Sequence, residues 1–141
     1  MARCFSLKAK GISMTHAFDI EAPVGTNGAN RREDVLLIQY LLAVWMATEK
    51  NLPKLTPLLA LTPELKIDGI FGNKTKGVIN TFEVFHQPVV NRDGRIDPLA
   101  NVSRKLFILN QILFFAGGLR DRGIPELVIP FPAVLVAPLY R

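Results

Sequence analysis

Cysteine is almost missing from this chain: Cys4 is the only one among 141 residues, which excludes an intramolecular disulfide. Histidine is nearly as scarce, at His16 and His86. One thiol and two dispersed imidazoles make a poor donor set for a structural zinc, which usually takes four Cys or His ligands. No metal and no cofactor are therefore expected. Runs of basic residues are lacking as well, none exceeding a pair such as Arg31-Arg32. The net charge of +5 favours anionic surfaces, but it is dispersed, and a phosphate-reading stripe for nucleic acid is not expected. The N-terminus, Met1 to Lys8, has no uninterrupted apolar stretch, so a secretory signal is not expected and the chain reads as made in the cytoplasm without one. The most apolar stretch, Val128 to Leu139, is broken by Pro130, Pro132 and Pro138, which argues against membrane insertion. Signatures of a Ser or Cys nucleophile or of a metalloprotease are not visible. The acids near turns and helix starts (Glu33, Asp34, Asp68, Asp93, Asp97) look like caps and dipole partners, not a catalytic pair.

What is present is apolar pattern. With 49% hydrophobic residues, a chain of this length folds as one domain with room for an appendage. Residues 3–20 alternate on either side of Gly11, with Phe5, Leu7, Met14, His16, Phe18 and Ile20 on one face, and predict an N-terminal β-hairpin with one buried side. Ala22 to Gly28 is loop by composition. Asn30, with Glu33 three residues on, predicts an N-cap for a first helix. That helix has a stripe of Val35, Ile38, Leu41, Leu42 and Trp45 and runs to about Thr48. Prolines at 53, 57 and 63 disfavour regular structure over 50–64. Asp68-Gly69 predicts a turn. A second helix follows over Lys74–His86, its face made by Val78, Ile79, Phe82 and Phe85. After a second turn at Asp93-Gly94, Asp97 as N-cap and Pro98 open a third helix through Leu99, Val102, Leu106, Leu109 and Leu113, ended by Gly117-Gly118. Ile124 to Arg141 carries four prolines among branched residues, so it predicts an edge strand or an extended tail.

The order of capped helix, proline-rich loop, Asp-Gly turn, helix, Asp-Gly turn and helix resembles the peptidoglycan-binding domain family. Four blocks carry the resemblance. They are Asp34-Val35-Leu36-Leu37-Ile38-Gln39-Tyr40-Leu41-Leu42, then Ile67-Asp68-Gly69-Ile70-Phe71-Gly72-Asn73-Lys74-Thr75, then Val78-Ile79-Asn80-Thr81-Phe82-Glu83, then Asp93-Gly94-Arg95-Ile96-Asp97-Pro98 with Leu109-Asn110 further on. Glu83 stands where the family usually has Gln, and the insertion between Leu42 and Leu65 is longer than simple members need. The resemblance implies a mainly α fold: a three-helix peptidoglycan-binding-like core over 30–118, with a β-hairpin and loop appendage at 1–29 and an extended, proline-rich apolar tail at 119–141.

It also implies function: non-catalytic binding of peptidoglycan, with ligand-contacting candidates at Gln39, Asp68, Phe71, Asn73, Thr75 and Arg95. For any single one of these, a turn, cap or packing role is the more economical reading, Phe71 above all as a core residue. Thr75 stands in the first turn of its helix, where it can satisfy a free N–H, and Gln39 is placed to bridge helix and loop. A second reading belongs to another class. In it the chain is a structural or adaptor subunit of a phage tail or contractile (type VI-like) secretion apparatus. There the fold would serve protein–protein contacts, with the tail docking on a partner or a second copy. The site of action is then the cell wall or periplasm on the first reading, and a virion or secretion particle on the second.

Overall fold

The computed structural model describes residues 3–6, 16–49, 65–87, 89–99, 104–115, 119–120 and 124–125. Over these the chain is mainly helical, with three helices and small two-stranded sheets. Helix α1 (Arg32–Glu49) is the centre. The expected stripe is buried in full, but so are Leu36, Leu37, Tyr40 and Val44, and residues 34–42 are buried without exception. A helix that is apolar around its whole circumference needs neighbours around its whole circumference. They are α2 (Asn73–His86), α3 (Arg104–Phe115) and strand β3 (Val24–Gly25).

Helix α2 packs through Val78, Ile79 and Phe82, with Phe85 half-buried, as its spacing predicts. Phe82 meets Trp45 edge-on at a centroid distance of 5.2 Å. The Trp45 indole N–H donates to His86 Nε2 at 3.1 Å, so the one polar atom of that ring is satisfied where the ring is buried.

The hairpin is present as β1 (Arg3–Ser6) paired antiparallel with β2 (His16–Asp19), Arg3 opposite Asp19 and Ser6 opposite His16. Its expected single buried face is corrected: Ala17, Phe18, Asp19 and Ile20 are all buried. The cause is α3, whose Asn110 carboxamide accepts the Phe18 N–H at 2.6 Å and donates to the Phe18 carbonyl at 3.0 Å. A helix side chain thus satisfies both backbone groups of a strand residue, as a neighbouring strand would. Phe18, Ile20 and Val24 belong to the same core as the helices.

Two helix starts are also corrected. Asn30 is not the N-cap of α1. It sits in left-handed backbone (φ 51), outside the extended region an N-cap adopts. Its carboxamide accepts the Gly25 N–H and donates to the carbonyls of Gly25 and Gly28. The first intrahelical carbonyl is that of Arg31, which accepts from Val35 at 2.9 Å. Asp97 does not cap the third helix, because the α-helix begins at Arg104. Its carboxylate lies 3.0 Å from Arg95 Nε, a charge pair in which the N–H is not directed at the oxygen. The Leu99 N–H is taken instead by Asp19 of β2, at 2.9 Å.

The loop after β2 is stitched to the far side of the fold, since β3 pairs antiparallel with β4 (Arg95–Ile96). Beyond α3, β5 (Leu119–Arg120) pairs with β6 (Ile124–Pro125). The expectations for 50–64, for Val102, for Gly117-Gly118 and for the tail beyond Pro125 lie outside the described residues. Among the described residues no helix is long and apolar enough to cross a membrane.

Candidate functional site

The two Asp-Gly turns are built alike. In each, glycine takes positive φ, 77 at Gly69 and 72 at Gly94, where a β-carbon is disfavoured. In each, the aspartate Oδ1 accepts the N–H two residues on, from Ile70 at 2.9 Å and from Arg95 at 3.0 Å, the local bond that makes Asp a turn residue. In each, a side chain from the interior of the preceding helix accepts the turn's own N–H groups. Gln39 Oε1 accepts from Asp68 at 3.0 Å and Gly69 at 2.9 Å. Glu83 accepts from Gly94 at 3.0 Å with either carboxylate oxygen.

The turns differ in charge. Gln39 is neutral and has a second function: its Nε2 lies 3.1 Å from Asp68 Oδ1, 3.1 Å from the Ile70 carbonyl and 3.0 Å from Thr75 Oγ1. One buried amide therefore joins α1, the first turn and α2. Glu83 is a buried acid, and a buried carboxylate requires a counter-charge. Lys105 of α3 supplies it, its Nζ 2.6 Å from Glu83 Oε2, 2.6 Å from Asp93 Oδ1 and 2.8 Å from the Arg95 carbonyl. The second turn is thereby locked to α2 and α3. Burial alone pushes the Asp93 carboxyl up, but the Lys105 and Arg95 bonds outweigh it and hold Asp93 below the ordinary aspartate value of 3.8. Asp68 is also held below 3.8, by the Ile70 N–H first and by Gln39 next.

The six candidate residues fall into two groups. Gln39, Asp68 and Thr75 are in direct contact around the first turn; Phe71, half-buried against the core, and Asn73, exposed at the start of α2, are its sequence neighbours. Arg95 belongs to the second turn. Gln39 and Thr75 are buried, with the Thr75 hydroxyl occupied by Gln39 and not by a helix N–H as expected. Around the first turn, the surface they leave consists of Asp68, Asn73, Lys66, Lys74 and Ile70, the last 68% exposed.

Three polar groups that the candidate set did not contain hold this frame. Lys105 neutralises Glu83, and Asn110 clips β2. The buried Asp34 accepts the N–H groups of Glu21 at 3.1 Å and Ala22 at 3.2 Å. Glu83 carried a legible signal, since it follows Ile79 by four positions and so shares the buried side of α2. Asn110 carried only its place as the second residue of the Leu109-Asn110 pair, with nothing to point to β2, and Lys105 carried no signal beyond flanking a leucine stripe. Among the described residues no three His, Cys, Asp or Glu side chains are grouped to hold a metal. Comparison of the chain with family models, curated proteins and solved structures gives no match.

Proposed function

We propose that the chain is a non-catalytic peptidoglycan-binding module whose contact surface is the outer side of the first Asp-Gly turn. The observation that carries this reading is the Gln39 network. A buried amide spends its hydrogen-bonding capacity on holding one turn and the start of α2 in a fixed arrangement, which presents the exposed Asp68 carboxylate, Ile70 side chain and Asn73 amide. Rigid polar groups beside an apolar contact are what recognition of a hydrated glycopeptide needs, because little further ordering is lost on binding. Gln39 and Thr75 then act by positioning, and Asp68 and Asn73 by contact.

Purified protein is expected to co-sediment with insoluble sacculi, to be displaced only in part by added salt, and to release no soluble muropeptide. Protein left in the supernatant with sacculi of several species would rule the reading out. Clearing of the suspension that survives repurification would contradict the non-catalytic part.

A second reading, the structural or adaptor subunit of a tail or contractile apparatus, is favoured by a different surface. Val84 on α2 is 50% exposed and Val90 in the following 3-10 turn is 88% exposed. Arg92 bonds the Gln87 and Val84 carbonyls close by. Apolar side chains held out around an ordered arginine suit a protein contact. On this reading sacculi do not retain the protein, and it co-purifies with assembled particles.

A further inference from the structure

The two turns share a backbone design, yet only one leaves its aspartate without a cation. Asp93 Oδ1 has the Lys105 ammonium at 2.6 Å and feels Arg95 as well. Asp68 Oδ1 has only neutral partners, the Gln39 amide and the Ile70 N–H. Lys66 acts on Asp68 through space, but among the described residues no cation forms an ion pair with it and no donor reaches its Oδ2. A cation approaching Asp93 must compete with a bonded ammonium, whereas one approaching Asp68 meets an open carboxylate oxygen. Two residues on, Ile70 is held out into solvent beside the same turn.

Resting on the binding function proposed above, we infer that Asp68 is the specificity-determining residue and that the group it reads is a primary ammonium on a short aliphatic chain. The carboxylate takes the ammonium in a charge-assisted hydrogen bond, and the exposed Ile70 side chain packs against the methylenes behind it. A diamino acid in a wall peptide presents this group; a glycan hydroxyl or an acetylated amine does not carry the charge. Gln39 fixes where the carboxylate points, since its amide and the Ile70 N–H both hold Oδ1, and Oδ2 is left without a partner among the described residues.

The test uses the full chain and two preparations of sacculi, one with free amines and one N-acetylated, with the unaltered protein and Asp68→Asn. Asparagine keeps an Oδ1 to accept from Gln39 and Ile70, so the turn is retained, and a circular dichroism melt checks this. The expected result is a loss of roughly tenfold in affinity on acetylation or on Asp68→Asn, with no further loss when the two are combined. Equal binding to both preparations overturns the inference while leaving wall binding intact. So does a loss on acetylation that Asp68→Asn does not share. Failure of the unaltered protein to bind either preparation is a different outcome, and it overturns the wall-binding reading itself.

Discussion

Gln39 has five hydrogen-bonding contacts from one side chain, two accepted by Oε1 and three around Nε2. Two amide hydrogens serve three acceptors, so at least one is shared. An ionised glutamate accepts but does not donate, and a leucine does neither. Replacement by leucine leaves the N–H groups of Asp68 and Gly69 and the Thr75 hydroxyl without their partner. Buried polar groups left unpaired cost about 1–3 kcal/mol each. Gln39→Leu is therefore expected to lower stability by about 3 kcal/mol, measured by urea unfolding, and an unchanged midpoint would contradict the bridging role. Gly69 reinforces the same turn. A β-carbon there would lie 2.8 Å from Arg32 Cγ and 3.1 Å from Leu36 Cγ, besides the strain of φ 77. Gly69→Val is expected to cost on the order of 1–3 kcal/mol or more through backbone strain alone, read as a lowered melting temperature.

At the scale of elements, α2 and α3 are joined through charge as well as through leucine and phenylalanine. Lys105→Met removes the ammonium and leaves Glu83 buried with the Gly94 N–H as its remaining partner. Breaking a buried pair from one side costs about 3–5 kcal/mol, whereas replacing both partners with uncharged groups is often close to neutral. The expectation is a large loss for Lys105→Met and recovery of most of it in the double variant Glu83→Gln, Lys105→Met. A glutamine at 83 would meet the second turn as Gln39 meets the first. Additive losses in a double-mutant cycle would show that the two side chains are not coupled. Between α3 and β2 the tie is Asn110, which also bonds the Leu106 carbonyl within its own helix and so arrives at the strand already oriented.

For the whole molecule, three aspartates make stability depend on pH in opposite senses. Asp68 and Asp93 have folded-state values below 3.8. Their contribution is complete above the unfolded value and is lost as pH falls through the folded ones. Asp34 is the reverse. Burial pushes its carboxyl above 3.8, outweighing the Ala22 N–H that favours the anion. Its ionisation therefore costs stability as pH rises from 3.8 through the folded value. Melting temperatures across this range are expected to separate the two. The deficit of Asp93→Asn narrows as the medium becomes more acid than 3.8. Asp34→Asn gains on the unaltered protein as pH rises from acid to neutral. Differences that stay constant with pH would contradict both assignments.

Periodicity and turn chemistry are local properties, and they were legible in the sequence. The helices over 32–49 and 73–86, the β1–β2 pair and the positive-φ glycines at 69 and 94 all follow from residues within a few positions of one another. Even Gln39 as a bridge was legible, because a lone amide inside an apolar helix face has to find partners somewhere. What the sequence could not supply was the identity of partners far along the chain. Asp19 takes an N–H from Leu99 across 80 positions and Asn110 answers Phe18 across 92; Asn30, whose partners are near, faces the loop behind it and not the helix ahead. Capping rules describe what a polar side chain does when only its own segment is available. Tertiary packing decided otherwise wherever a buried N–H from elsewhere would have gone unpaired, because that omission costs more than a vacant cap. Packing likewise decided that residues 34–42 of α1 are buried on every side, that residues 17–20 keep no exposed face and that Lys105 meets Glu83. Each of these depends on which surfaces the three helices present to one another once they are assembled.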